Sequence, residues 1–256
     1  LEGAAGFAPL PAAALAPFPE AVRAPAGTYA AIDRRARVLA VGRLMANVPT
    51  GALDIGEPRF AGRIARPLAA DEGLIVMIAS LIADRGAPVA GRVLEGLVAN
   101  EAAPPKLYDA AGALDALLAR EADLALTDHV AARRRALGDP PATTAVDIQQ
   151  AISEARFVTV YPDAADGGVA WTGTVLARPE GAPHPANADA ALLWLLSAPG
   201  QSAWSAATGA YPTHPEATPA PGLRTQDSFG WSATTLAERA ELRAQVVELL
   251  RVAALP

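Results

Sequence analysis

The chain has 256 residues, of which 52% are hydrophobic and 19% are charged, and its formal net charge is −6. This length suffices for one large domain or two small ones. The acidic balance disfavours a nucleic-acid-binding protein, which normally carries a basic patch. The complete lack of cysteine excludes disulfides, thiolate metal sites and cysteine nucleophiles.

No transmembrane or signal segment is recognisable in the sequence. No apolar run reaches the ~18 residues of a membrane span, and the chain does not open with a basic segment followed by an apolar one. Because the first residue is Leu1 rather than methionine, we expect a processed or truncated product, and the loss of a targeting segment upstream is compatible with the sequence.

Strand and helix patterns alternate along the chain. Short apolar or alternating runs predict strands at 35–44, 61–66, 124–127, 156–161 and 169–177. Longer apolar runs bounded by acidic, glycine or proline residues predict helices at 74–86, 88–99, 110–122, 129–137 and in three segments after residue 186. This alternation is typical of βαβ units and predicts an α/β fold with mostly parallel sheets.

The segment DLALTDHVAARR, residues 123–134, changes from an apolar strand into a polar cluster and then a basic helix. Thr127, Asp128 and His129 therefore lie at the carboxyl end of a strand, where open α/β sheets bind ligands. The start of the following helix also attracts anions. The alternative is that Thr127 or Asp128 only caps that helix. His129 is a candidate metal ligand or pH-sensitive group, although a single Asp–His pair is a weak metal signal.

Arginines at two strands are candidates for binding an anionic group. Arg35 and Arg37 lie on the same face of the first strand, because side chains alternate along a strand. Guanidinium groups there can bind a carboxylate or phosphate in a bidentate manner. The alternative is that these arginines pair with Asp33 or Asp54. Arg66, at the end of the second strand, is a better candidate for a ligand cleft.

The few aromatic residues divide into two groups. Tyr29 and Trp171 lie at strand edges, where they can face a cleft. Trp194 and Trp204 fall within apolar helical patterns, which predict core positions.

The sequence gives little support to an enzyme. It has no G-x-S-x-G elbow, no H-E-x-x-H, no P-loop and no G-x-G-x-x-G. We therefore expect neither an enzymatic activity nor a catalytic cofactor. A hydrolase based on Asp128 and His129 would need a serine nucleophile within hydrogen-bond reach of His129.

The order of several segments resembles the bacterial extracellular solute-binding proteins of the ferric-iron-binding class, which serve ABC importers. The resemblance covers nearly the whole chain from about Gly6, and it depends on the order and spacing of the segments rather than on one motif. The segments that carry it are RRARVLAV, EPRFAGRIARP, LEGLVAN, LAREADLALTDHVAARR and the long stretch from VYPDAADGG to YPTHPEA.

The resemblance implies a two-lobed periplasmic-binding-protein type II fold, the Venus flytrap, with mostly parallel sheets flanked by helices. Residues 43–168 correspond to lobe two. Residues 1–42 and 169–256 correspond to the remainder of lobe one, with the hinge strands and the C-terminal helices. The family opens with several further βα units, so we expect lobe one to be incomplete in this chain.

The resemblance also implies a function. Such a protein captures a small solute, either ferric iron or another ion or small polar anion, between its lobes and delivers it to the permease of an ABC importer. It is periplasmic or extracellular, in some members tethered as a lipoprotein, and has no membrane span of its own. We expect Asp128 and His129 to be the metal-binding residues, within a ligand-binding set of Thr127, Asp128, His129, Arg66, Arg35, Tyr29 and Trp171.

One departure from the family favours an alternative. Ferric-binding members carry two adjacent tyrosines just after the strand that ends at Thr127, and the corresponding positions here are Val130 and Ala131. Neither side chain can coordinate iron. The alternative is therefore a degenerate or truncated relative that acts as a non-transporting interaction module.

Overall fold

The computed structural model describes residues 6–102, 108–138, 141, 143–162 and 167–253. The chain divides into two compact units. Unit 1 comprises 1–35, 173–223 and 234–241, and unit 2 comprises 36–172, 224–233 and 242–256. The two lobes expected from the sequence have their boundaries at 42/43 and 168/169 instead. That division of the chain into lobes stays a prediction.

A sheet with four strands along its main path forms the centre of unit 2. Their spatial order is β4–β5–β3–β6, and two further short strands, at Trp171–Thr172 and Tyr211–Pro212, also pair with β3, so the whole sheet has six strands. Residues 36–42 of β3 belong to unit 2. The strands are β3 (Asp33–Gly42), β4 (Ile64–Ala65), β5 (Leu124–Asp128) and β6 (Phe157–Val160).

The sheet is mixed, so the expectation of mostly parallel pairing is wrong for the strands that the structure describes. Strand β4 runs parallel to β5, but β3 runs antiparallel to both β5 and β6. The reason is the type of connection. Helical crossovers lie between β4 and β5 and return the chain to the same end of the sheet, which gives parallel strands. Residues 43–63 after β3 contain two short 3-10 helices and no longer helix. The chain therefore enters β4 at the end of the sheet where it left β3, and it runs back in the opposite direction.

Helices cover this sheet in unit 2, and residues 242–252 of the long C-terminal helix α9 (Leu236–Val252) also belong to the unit. The helices predicted from residues 74, 88, 110 and 129 onward are confirmed within a few residues. Helix α6 was not expected, although Thr144 caps it by accepting a hydrogen bond from the Asp147 N–H at 3.2 Å. The remaining helices are α2 (Glu72–Arg85), α3 (Ala87–Ala99), α4 (Ala110–Leu118), α5 (His129–Leu137) and α6 (Ala145–Glu154).

Alternate residues of the central strands pack into two different cores, as the two-residue period of a strand requires. Leu39 and Val41 join the first core with α2, α3 and the end of α9. Ala40 and Ala125 join the second core with α4. Alanine on this second face lets α4 pack closely on the sheet. Unit 2 is therefore a helix–sheet–helix sandwich that holds the carboxyl end of β5 in a fixed position.

Unit 1 contains a small antiparallel sheet in the order β1–β8–β2. A further short strand, β9, pairs with the first two residues of β3. The elements of the unit are β1 (Phe7–Ala8), α1 (Ala12–Leu15), β2 (Tyr29–Ala31), β8 (Val175–Pro179), α7 (Pro185–Leu196), α8 (Ala198–Thr208) and β9 (Tyr211–Pro212).

The single strand predicted at 169–177 is interrupted, which corrects the expectation. It forms β7 (Trp171–Thr172) and then β8, with Gly173 between them. A Cβ atom at Gly173 would lie 2.2 Å from the Asp33 carbonyl oxygen. The Asp33 carboxylate also accepts a hydrogen bond from the Thr174 N–H at 2.8 Å. These contacts with Asp33 take the place of continued strand pairing.

The two tryptophans predicted to lie in the core are not fully buried. Trp194 was predicted to lie in the core, but its side chain is 54% exposed on α7. Trp204 is half-buried, and its indole N–H donates to the Asp33 carboxylate at 2.7 Å.

Within the described ranges, no helix combines the length and the apolar character needed to cross a bilayer.

Candidate functional site

A buried arginine of the neighbouring strand lies beside the carboxyl end of β5 in unit 2. Arg37 of β3 lies directly opposite Asp128 of β5 in the antiparallel ladder, so their side chains share one face of the sheet. A guanidinium nitrogen of Arg37 lies 3.3 Å from the carboxylate of Asp71. The same Asp71 oxygen caps α2 by accepting a hydrogen bond from the Leu74 N–H at 2.9 Å. Arg37 is therefore held at the start of α2.

Gly73 makes this position possible. A Cβ atom at Gly73, in the first turn of α2, would lie 2.1 Å from the central guanidinium carbon of Arg37. Any larger side chain at this residue would displace the guanidinium group. The absence of a side chain at Gly73 therefore leaves the space that the Arg37 guanidinium occupies.

A second helix starts at the same end of β5. Asp128 caps α5 by accepting a hydrogen bond from the Ala131 N–H at 2.9 Å. The Thr127 hydroxyl donates to the Ala110 carbonyl at the start of α4, at 2.8 Å. The capping alternative thus describes what Asp128 does in this structure. The polar cluster predicted at this strand end is present, with Arg37 as its cation.

A small pocket lies beside Arg37, entirely within unit 2. It has a volume of about 20 Å³ and is bounded by Arg37, Ser80, Thr127 and Ala170, among others. Such a volume admits one water-sized group. The buried Ser80 hydroxyl has no hydrogen-bond partner among the described residues. The pocket can therefore offer two donors, from Arg37 and Ser80, to one oxygen atom of an anionic group.

His129 faces the strand rather than this pocket. Its ring is buried, and Nδ1 accepts a hydrogen bond from the Ala36 N–H at 2.9 Å. An accepting Nδ1 requires that the neutral ring carries its proton on Nε2. This geometry disfavours the predicted role as a metal ligand. Nor does the described part of the chain bring together three His, Asp or Glu side chains that could hold a metal ion.

This hydrogen bond gives a first testable prediction. His129→Leu would leave the buried Ala36 N–H without an acceptor and should lower the free energy of unfolding by about 1–3 kcal/mol. His129→Asn supplies a carbonyl oxygen near the position of Nδ1 and should keep part of that stability. Urea unfolding and hydrogen exchange of the Ala36 amide measure both effects. An equally protected amide in wild type and His129→Leu would contradict the assignment.

Arg66 lies within unit 2 in a buried ion pair. Its Nε atom donates to the Glu101 carboxylate at 3.0 Å, and its NH1 group donates to the Pro67 carbonyl at 3.3 Å. The side chains of Arg66 and Glu101 are both almost fully buried. The arrangement supplies a structural reason for Arg66, and its predicted contact with a ligand stays a prediction.

The other predicted ligand residues are distributed over both units. Trp171 is fully buried in unit 2. Tyr29 is buried in strand β2 of unit 1, and Arg35 of the same unit is half-buried. The structure therefore brings Thr127, Asp128 and Arg37 together, whereas Tyr29 and Arg35 belong to a separate unit.

Unit 1 also buries two guanidinium groups that the sequence did not single out. Burial lowers the pKa of Arg34 to about 10. The pKa of Arg239 is lowered to about 9, mainly by burial and also by the nearby positive charge of Arg34. The charged forms of both arginines are thus costly in the folded state.

Sequence reasoning placed Arg37 on a candidate face but did not find its partners. Acidic residues were used only to predict where the helix at 74–86 starts, and Asp71, Gly73 and Ser80 were not singled out as site residues. The available signal was the combination Asp-Glu-Gly at a helix start, where glycine is unfavourable unless something must lie against it.

No protein-family model matches the sequence, and no curated protein matches it. Solved structures do match over the whole chain. Apo FutA2 from Synechocystis is 22% identical with a TM-score of 0.84, over 100% of this chain and 80% of that chain. FutA (IdiA) from Trichodesmium, in complex with iron and citrate, is 20% identical with a TM-score of 0.82, over 100% and 79%.

A third structure is ferric iron-binding protein A from Mannheimia haemolytica in an open conformation. It is 18% identical with a TM-score of 0.85, over 99% of this chain and 78% of that chain. At these identities the likeness concerns the fold. The expectation drawn from the order of the sequence segments is confirmed at that level: the chain has the mixed α/β, type II periplasmic-binding-protein fold of the ferric-iron-binding proteins.

Proposed function

We propose that this chain is a periplasmic or extracellular solute-binding protein that captures a small anionic solute and delivers it to an ABC importer. The observation that carries the proposal is the buried Arg37, held where α2 begins and opposite the residue that caps α5. A fold shared with proteins described as ferric-binding supports the same class of function. In this reading the protein is not an enzyme.

The chemistry of the cluster suggests which solute is bound. One of the matching proteins was solved with iron and citrate. In this chain the positions that resemble the family's tyrosines are Val130 and Ala131, which cannot coordinate iron. Arg37 and Ser80 instead suit a carboxylate oxygen, because a guanidinium and a hydroxyl both donate hydrogen bonds. We therefore propose a polycarboxylate such as citrate, either free or as a ferric chelate.

The size of the pocket limits how such a solute binds. A volume of about 20 Å³ admits one oxygen atom and not a whole citrate. One carboxylate oxygen would enter beside Ser80 while the rest of the solute stays outside the pocket. Thr127 borders the pocket, and Asp128 is the next residue, at the end of β5.

The experiment is isothermal titration of the folded chain with citrate, ferric citrate, ferric nitrilotriacetate and phosphate. We expect binding of citrate or ferric citrate. Gly73→Ala should weaken it about 10- to 100-fold, since loss of a charge-assisted hydrogen bond costs about 1.5–3 kcal/mol. The guanidinium is flexible and can move aside, so this variant should still fold. Arg37→Gln should weaken binding at least as much.

Gly91→Ala is the matched control, because a Cβ atom there meets its nearest neighbour, Leu249, at 3.9 Å. It should leave binding unchanged. Unaltered affinity in both Gly73→Ala and Arg37→Gln would mean that Arg37 does not bind the solute. No heat and no thermal shift with any solute would favour the second candidate, a non-transporting interaction module, which Val130 and Ala131 already support.

A further inference from the structure

A tight turn in unit 2 presents a leucine to solvent. The Met45 N–H donates to the Gly42 carbonyl at 2.9 Å, so Arg43 and Leu44 are the central turn residues. Such positions usually carry glycine, asparagine, aspartate or serine. Leu44 is instead 96% exposed. Arg43 fixes the turn, because its guanidinium donates to the carbonyls of Ser153 and Ala155 at the end of α6.

A second unusual residue lies close by. Arg120 has a φ of 62°, in the left-handed region. The Arg120 N–H donates to the Leu117 carbonyl at 3.1 Å, and the Glu121 N–H donates to the Ala116 carbonyl at 2.9 Å. This is the Schellman arrangement after α4, in which the left-handed residue is usually glycine. The chain thus carries a large cationic side chain at a position where glycine would be more stable.

Both residues border one open groove of unit 2, which has a volume of about 510 Å³. Its floor is apolar and includes Met45, Leu117 and Leu118. The groove lies beside Asp123 at the amino end of β5, whereas Arg37 lies opposite Asp128 at the carboxyl end. It is therefore separate from the candidate solute site, and its function does not depend on the identity of the solute.

The charge that lines the groove is net positive. The Asp123 carboxylate accepts from Arg63 at 2.7 Å, so these two charges offset each other. The Glu154 carboxylate accepts from the neutral side-chain amide of Gln150 at 2.8 Å and keeps its negative charge. The guanidinium groups of Arg43, Arg120 and Arg156 outnumber it. Arg43 is bonded to the end of α6. Arg120 and Arg156 have no ion pair among the residues that the structure describes. An occupant of the groove would meet an apolar floor, two guanidinium groups without an ion pair and one carboxylate, that of Glu154.

We propose that this groove is a docking site for a partner protein, which inserts an acidic polypeptide segment that carries a large apolar side chain. Carboxylates of the segment would pair with Arg120 and Arg156. The apolar side chain would fill the floor, and Leu44 would pack against the partner. An exposed apolar residue next to complementary charge is typical of a protein interface.

The test is selection of a random dodecapeptide phage library on the folded chain. A double variant, Leu44→Ser with Arg120→Gly, serves for counter-selection. We expect enriched peptides that are net acidic and contain a large apolar residue. The best peptide, made synthetically, should bind the double variant about tenfold or more weakly, as expected for loss of two central interface residues. Its affinity for wild type should also fall as salt is raised.

Arg120→Gly alone separates docking from folding. It removes a non-glycine residue from the left-handed region and should raise Tm by about 2–4 °C in a chain of this size. The same substitution should lower the affinity for the selected peptide. Val146→Ser, which removes an exposed valine from α6, is the control and should change nothing. No enrichment, enrichment of neutral or basic peptides, or equal binding to the double variant would overturn the proposal.

Discussion

Gly96→Ala is expected to lower the free energy of unfolding by about 3 kcal/mol or more, because overpacking against a rigid backbone cannot be relieved by a rotamer change. A Cβ atom at Gly96, on α3, would lie 2.2 Å from the Gly56 carbonyl oxygen and 2.5 Å from its Cα atom. The helix and the turn at Asp54–Gly56 are therefore in backbone contact.

The turn at Gly56 is fixed from the other side, so it cannot move away from an added methyl group. The Asn100 side-chain amide donates to the carbonyls of Ile55 and Glu57, each at 2.8 Å. Asn100 is itself buried at the end of α3. The substitution must therefore strain the helix, the turn or these hydrogen bonds.

Gly91→Ala provides the control within the same helix. Its Cβ atom would meet the Leu249 side chain at 3.9 Å, an ordinary contact. Alanine is favoured over glycine in a helix by about 0.5–1 kcal/mol, so this variant should be more stable than wild type. Urea unfolding followed by circular dichroism measures both variants. Equal effects of the two substitutions would mean that α3 does not approach the turn as described.

Arg66→Met is expected to cost about 3–5 kcal/mol, because it leaves the buried Glu101 carboxylate without its counter-charge. The side chains of Arg66 and Glu101 are only 4% and 8% exposed. One carboxylate oxygen of Glu101 has no hydrogen-bond partner among the described residues even in the wild type. Removing the arginine would leave the other oxygen unpaired as well.

A double variant checks this prediction. Arg66→Met combined with Glu101→Leu removes both charges and should recover most of the lost stability. The comparison is Arg63→Met, which breaks an ion pair with Asp123 whose side chains are 36% and 52% exposed. That substitution should cost less than about 1 kcal/mol. If Arg66→Met were equally mild, the pair would not be buried in solution.

The double variant also tests the predicted ligand contact of Arg66. If Arg66 serves only the fold, Arg66→Met with Glu101→Leu should bind citrate or ferric citrate as wild type does. Weaker binding by a double variant of normal stability would instead support the contact predicted from the sequence. Titration calorimetry on the same preparations gives both answers.

Local sequence signals determined much of the fold. Asp71 and Asp109 cap helices where acidic residues precede apolar runs, and both caps are present. The apolar run 124–127 is a buried strand that ends in a polar cluster. These features depend on residues within one or two turns of each other, so the residues alone suffice to predict them. The likeness in segment order to ferric-iron-binding proteins was also visible in the sequence.

Tertiary structure decided which polar groups meet. Arg37 was placed on a candidate face, but its partner Asp71 lies on the helix after the next strand. The Nδ1 atom of His129 bonds a backbone amide 93 residues away, and Asp33 accepts from an indole 171 residues away. The antiparallel course of β3 likewise depends on where the chain returns. Local periodicity specifies which side of an element is polar, but only the packing of distant segments determines the partner, and here that packing decided which arginine stands at the candidate site.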